Sequence, residues 1–453
     1  MELVKSNSVE LEDYAVPDAA TPESAQASLE PGTDSSQQSA RTSRTLHMLA
    51  LSDQAIVSGA NFLTSMVLAR GLTLPEFGRY SLLWMAVLFG ANIQMSLIIS
   101  PMMSIGPIQR RLSEKSYLGS ILSFQLVFAL GLTILLAATL GVLRFTGNSI
   151  ESSWIIPILA TNIAFQLQDF VRRTFFYQKR LFAAVSNDCI SYLGQLAVIG
   201  IFLRLHMLSV KNILWINALT SLTAILVAAP MMPLPIFRAK VLWGTLKRNW
   251  QSARFLLAAT IMQWTSGNFF VLIAPLFMGV SAVGAMRACQ SIMNTTNIWM
   301  QGLENSLPSE ASRIMIKAGT PGLKRYIIRA LALLGGLTGL IVLIINLAPE
   351  FWLKLIYGPH LKGYGFVLRA YGIISLLTVL TLPLRAGLRS IERTKPIFVG
   401  YIVTTIYSAI SAPLLGKLFG LTGILLGIIG TQILLIPILL ISLRRNLSSN
   451  ERF

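Results

Sequence analysis

The residues able to do chemistry in this chain are charged or amide side chains set singly into long apolar runs. Arg70 closes one such run, Arg79 lies just inside the next, and Arg287 sits about one and a half turns into a later one. Arg287 shares its run with Gln290, Asn294, Thr295, Thr296, Asn297, Gln301 and Glu304. A guanidinium stays charged when partly buried, and its planar fork matches phosphate oxygens. Arg70, Arg79, Arg287, Gln290 and Asn294 are therefore candidate ligands for an anionic substrate in a polar cavity. For Arg70 and Arg79 the alternative is that the side chains snorkel to lipid headgroups. A second constellation is acidic. Asp169 precedes Arg172 and Arg173 by three and four residues, which places all three on one helix face, and Asp188 follows across an intervening turn. Asp169, Asp188, Arg172 and Arg173 either lock a helical hairpin together or hold the proton or cation that drives a transport cycle.

Such groups at membrane depth are costly unless they face a protein interior or a water-filled path. That cost matters here because the chain is built for lipid. Hydrophobic residues make up 54% and charged residues 12%, with a mean hydropathy of +0.64, against about 25% charged in ordinary soluble domains. A net charge of +18 would suit a nucleic-acid binder, but the basic residues form no stripe with interleaved aromatics, so no nucleic-acid partner is expected. Cys189 and Cys289 each lie in an apolar run and imply neither a disulfide framework nor a metal site. There is no P-loop, since Gly416-Lys417 lacks the upstream glycine and the following hydroxyl residue. His47, His206 and His360 are scattered, and no sizeable extramembrane catalytic portion is evident. No enzyme, cofactor or metal is expected.

The elements that must position these residues follow from the length of the apolar runs, since about 20 residues cross a bilayer core. The pattern predicts an all-α integral membrane protein with twelve transmembrane helices in two pseudo-equivalent six-helix bundles. Residues 1–44 read as a disordered acidic cytoplasmic tail without the basic and apolar regions of a cleavable signal. Residues 45–232 form the first bundle, 233–253 a basic interfacial linker, 254–445 the second bundle and 446–453 a cytoplasmic tail. Leu74, Pro75 and Glu76 read as a turn between the first two spans, and the eighth span is too polar to face lipid. With both termini in the cytoplasm, 26 Lys and Arg fall on inner segments and 10 on outer ones, as the positive-inside rule requires. Arg41, Arg44, Arg110, Arg111 and Arg452 belong to the inner set. The linker carries Leu242, Leu246, Trp243 and Trp250 among lysines and arginines, the composition of a helix lying in the headgroup layer. Asn61-Phe62 followed by Gly78 is echoed by Asn268-Phe269 followed by Gly284, and the basic stretch 172–182 by 385–398. Two related bundles with a cavity between them are what such repeats produce in transporters.

The opening stretch also carries a resemblance. Asn61-Phe62, Ala69-Arg70-Gly71-Leu72, Pro75-Glu76-Phe77-Gly78 and Tyr80-Ser81 resemble the start of bacterial polysaccharide transporters, the lipid-linked oligosaccharide flippases of the multidrug/oligosaccharidyl-lipid/polysaccharide exporter superfamily. Ile98-Ile99-Ser100-Pro101-Met102-Met103 and Ser186-Asn187-Asp188 with Ile190-Ser191-Tyr192-Leu193-Gly194-Gln195 resemble its exopolysaccharide branch. The resemblance implies a flippase in the bacterial cytoplasmic (inner) membrane. Its substrate would be a polyprenyl-diphosphate-linked oligosaccharide, moved by alternating access for exopolysaccharide biosynthesis. Membrane lipid and polysaccharide polymerase or export proteins are the implied partners. The related lipid II flippase lines its cavity with arginines on its first, second and eighth helices, which fits Arg70, Arg79 and Arg287 by helix. A multidrug or small-molecule antiporter of the same architecture and a non-transporting scaffold of a polysaccharide synthesis complex are the alternatives.

Overall fold

Hydrocarbon leaves backbone groups no partner but each other, so apolar runs of this length must become helices. The computed structural model describes residues 53–108, 113–145 and 151–450, all within the unit Leu49–Phe453. The tail assigned to residues 1–44, together with Arg110, Arg111 and Arg452, lies outside the described residues, as do the side chains of Asn297, Gln301 and Glu304. Among the described residues every regular element is helical, and nine helices are long and apolar enough to cross a membrane.

The elements in order are α1 (53–71), α2 (Leu74–Ile108), α3 (Glu114–Phe145), α4 (Ser152–Tyr177), α5 (Leu181–Arg204) and α6 (Val210–Met231). There follow α7 (Ala239–Met278), α8 (Val280–Met293), α9 (Asn297–Leu347), the nine-residue α10 (Pro349–Tyr357), α11 (Gly365–Ser390) and α12 (Lys395–Asn450). Two glycines with positive φ, Gly319 (60°) in α9 and Gly420 (56°) in α12, break those long helices into kinked pairs. Two helices contain a π turn, Met95–Ile99 in α2 and Cys189–Leu193 in α5. Such single wide turns occur often at functional sites.

The expected turn at Leu74-Pro75-Glu76 is the first turn of α2 instead. Thr73 caps the helix: its side chain accepts from the Glu76 backbone N–H while the Glu76 carboxylate accepts from the Thr73 N–H, at 3.0 Å. Two otherwise unsatisfied donors are met by this exchange, and a proline in the first turn loses no hydrogen bond. The linker helix likewise begins at Ala239 and runs without a break into the following span. Its buried face is Thr245 and Asn249, with Thr245 beside Ser120 at 3.3 Å, while Trp243 is 70% and Trp250 48% exposed.

Packing sorts the helices by chemistry. On α3, Val127, Leu130, Ile134 and Leu135 are each more than half exposed, an apolar surface that water would not tolerate and lipid would. In the eighth segment, expected to be interior over 282–307, most of α8 between Ala282 and Met293 is buried, whereas Arg287, Gln290 and Ser291 are half-buried and Asn294 is exposed. Helix α8 runs along α2. The contact is closest where Gly78 faces Gly284, since a Cβ on Gly78 would lie 2.0 Å from the Val280 carbonyl oxygen and one on Gly284 2.5 Å from that of Leu74. The two glycines that the sequence repeat pairs are thus packed backbone to backbone. Elsewhere α4 packs on α3 and α6, while α9 packs on α11, and α12 on α7 and α11.

Candidate functional site

A cavity of about 530 Å³ opens between α8 on one side and α1, α2, α4 and α5 on the other, within the size range of small-molecule sites. The α8 wall is polar. Arg287, Gln290 and Ser291 stand there, with Asn294 and Thr295 just beyond the helix end. Spacings of three and four residues bring Arg287, Gln290, Ser291 and Asn294 onto one face. The Arg287 guanidinium donates to Gln290 Oε1 at 2.5 Å and to Asn268 Oδ1 at 3.3 Å, and Asn268 in turn donates to the Trp264 carbonyl at 3.0 Å. Its Nε is buried without a hydrogen-bond partner. Among the described residues no carboxylate lies within 4.0 Å of Arg287, and none lines the cavity. A full positive charge is held by neutral amides alone, an arrangement that leaves its charge to be met by something that enters the cavity.

A second polar centre lies where α1, α4 and α5 meet. Arg172 on α4 reaches Asp53 at 2.7 Å and Asp188 at 2.5 Å, while Asp169 stands 3.9 Å from Arg172 and 3.4 Å from Arg173. Gln168 donates to Asp188 at 3.1 Å and to Asn187 at 2.9 Å, and Asn187 donates to the Ala224 carbonyl on α6. Asp53 is 1% and Asp188 0% exposed. Three carboxylates against two guanidiniums leave one formal negative charge in excess. Asp53 is the partner that pattern-reading missed, because it sits at the very start of the first apolar run. The helical spacing that joined Asp169 to Arg172 and Arg173 holds, but the shortest contacts of Arg172 are to the other two helices. Tyr192, one turn beyond Asp188, is buried and lines the cavity, so the two centres share α5.

A pair at the same spacing joins α11 and α12. Arg385 donates to the phenol oxygen of Tyr401, sixteen residues on, at 3.1 Å; Asp188 follows Arg172 by the same interval.

Of the three arginines expected at the cavity, only Arg287 lines it. Arg70 extends to α10, where its guanidinium donates to the carbonyls of Leu355 and of Ile356, the latter at 2.6 Å. Those are last-turn carbonyls with no partner inside the helix, and a cation there complements the helix dipole. Arg79 lies over the Trp154 ring, 5.9 Å from its centroid. Gln290 and Asn294 both line the cavity. The aromatic lining, Phe62, Phe77, Tyr80, Trp84, Phe165 and Tyr192, carried no sequence signal, since aromatics in apolar spans are ordinarily packing residues.

Solved structures share this fold. An inward-closed lipid II flippase, MurJ, superposes with a TM-score of 0.69 at 12% identity, covering 88% of this chain and 87% of its own. An inward-facing multidrug-resistance MATE transporter of the MOP superfamily gives 0.68 at 14%, covering 88% and 96%. A MOP-superfamily transporter from Pyrococcus furiosus, reported with a binding pocket of reverse polarity, gives 0.58 at 14%, covering 89% and 96%. The chain shares the fold of these proteins. No family model matches the sequence, and no curated protein does, so the likeness rests on backbone geometry alone. Within this fold the cavity, which no described carboxylate lines, and the α1–α4–α5 charge cluster are separate features joined through α5.

Proposed function

We propose that this chain is a flippase that moves a polyprenyl-diphosphate-linked oligosaccharide across the bacterial cytoplasmic membrane for exopolysaccharide assembly. The observation that carries this is Arg287, a cation whose partners among the described residues are neutral, in a cavity that no described carboxylate lines. Such a site attracts a diphosphate and repels a cationic drug, although a multidrug transporter shares the fold. The sugar and diphosphate would occupy the cavity while the prenyl chain stays in lipid. Counting both arms of α12, with α1 and α8 added to the apolar helices, gives twelve passes in two bundles, and the basic-residue bias puts both termini in the cytoplasm. On that orientation the Gly78–Gly284 contact closes the outer side and the cavity serves the inner leaflet, which agrees with the inward-facing and inward-closed relatives in fold. The charge cluster, one negative charge in excess, ties α1, α4 and α5 together and is the place for a coupling proton or monovalent cation.

Deletion of the gene should cause lipid-linked saccharides to accumulate, read by mass spectrometry of extracted lipids. Wild-type protein should clear them, and Arg287→Gln at equal protein level should not. Full complementation by Arg287→Gln, or no accumulation on deletion, would remove the flippase reading. Asp188→Asn tests the coupling assignment: if transport keeps its full dependence on the proton or sodium gradient, the cluster is structural only.

A further inference from the structure

The two walls of the cavity differ in chemistry. Among the described residues, the wall supplied by α8 together with Asn294 and Thr295 offers a guanidinium, amides and hydroxyls and no aromatic ring. The opposite wall presents a connected set of rings: Tyr80 stacks on Trp84 with centroids 6.2 Å apart and planes 12° apart, and Trp84 meets Phe165 edge-on at 5.1 Å. Tyr80 is fixed from behind, its hydroxyl accepting from Asn217 on α6 at 3.3 Å and its ring only 6% exposed. Trp84 and Phe165 are half-buried at the cavity wall. Among the described residues the indole N–H of Trp84 has no hydrogen-bond partner, and it is not buried. Indole N–H groups enclosed in a core find an acceptor; this one is left open beside a polar cavity. Around the rings stand Asn61, Ser65 and Gln195.

A ligand that satisfies both walls carries an anion at one end and, at the other, a flat apolar face rimmed by hydroxyls. A pyranose ring has that second character: its C–H bonds group into apolar faces and its hydroxyls project from the edge. We infer that Trp84, held by Tyr80 and Phe165, is the stacking platform for the first sugar of the substrate, with its N–H and the neighbouring amides meeting the rim hydroxyls, while Arg287 takes the phosphate. This subsite exists only if the cavity takes a lipid-linked saccharide, as proposed above. The division of labour is new: α8 reads the linkage and α2 with α4 reads the sugar.

The test uses the full chain purified in lipid nanodiscs and two sets of probes, bare polyprenyl diphosphate and polyprenyl-diphosphoryl glucose, galactose or N-acetylglucosamine, with Kd measured by microscale thermophoresis. Wild type should bind at least one sugar-bearing probe more tightly than the bare lipid. Trp84→Ala should erase that difference, a loss of about tenfold or more for the sugar-bearing probe, and leave the bare lipid within about twofold. Trp84→Phe should retain part of the preference. Trp84→Leu, which keeps apolar bulk without a flat face, serves if the alanine variant does not fold and should behave like it. Arg287→Gln should weaken both sets together. A Trp84 variant that keeps the sugar preference, or weakens both sets equally, overturns the platform and leaves the flippase standing. A wild-type protein that binds neither set overturns the flippase and the platform with it.

Discussion

Replacing Arg172 by glutamine removes the one cation that touches all three helices of the charge cluster. Asp53 and Asp188, which Arg172 holds at 2.7 and 2.5 Å, would be left buried, and Arg173 reaches only Asp169. Removing one partner of a buried pair costs about 3–5 kcal/mol, mostly because a charge is stranded away from water. With an unfolding entropy of about 2.1 cal/mol/K per residue, a body of about 400 residues should lose about 4–6 °C in Tm. Thermal unfolding in detergent, followed by size-exclusion of the heated protein, reads this directly. The cause is separable from lost packing. If stranded charge dominates, adding Asp53→Asn and Asp188→Asn to the Arg172→Gln variant should recover half or more of the loss, although each asparagine change alone is destabilising. Coupling of that sign and size is what a shared network gives. A drop of less than about 1 kcal/mol for Arg172→Gln, the level of an exposed ion pair, would refute the reasoning, and so would a triple variant whose loss is the sum of its parts.

Two further outcomes follow from local geometry. Gly284→Val brings a side chain against the Leu74 carbonyl, where even a Cβ would lie 2.5 Å away, so α2 and α8 must separate; a cysteine pair placed across this seam should cross-link less in the variant than in wild type, and unchanged cross-linking would show that the seam yields elsewhere. Thr73→Ala removes the cap of α2 and should cost about 0.5–2 kcal/mol, measured as a Tm shift, with Thr73→Ser retaining most of the wild-type value.

The helical, membrane-spanning class of the fold was legible because apolar run length acts at every span. Helix ends were less legible. Pro75 reads as a breaker until Thr73 and Glu76 are seen to close a capping box around it, and the linker reads as separate until Ala239–Met278 runs straight through. At the site, Arg287 was recoverable because a cation amid amides stands out in any apolar run. Arg70 was not placed correctly by type: an outer arginine can meet phosphate, headgroup or a helix end, and here two carbonyls of α10 take it. Asp53 and Trp84 depend on which helices are neighbours, and no spacing within one helix reports that.

The contact between Gly78 and Gly284 has a mechanical meaning. At these two positions α2 and α8 meet with main chain against main chain, and only the Leu74 side chain stands beside the contact. Any movement of one helix against the other must therefore pass through a contact about as close as two backbones can come.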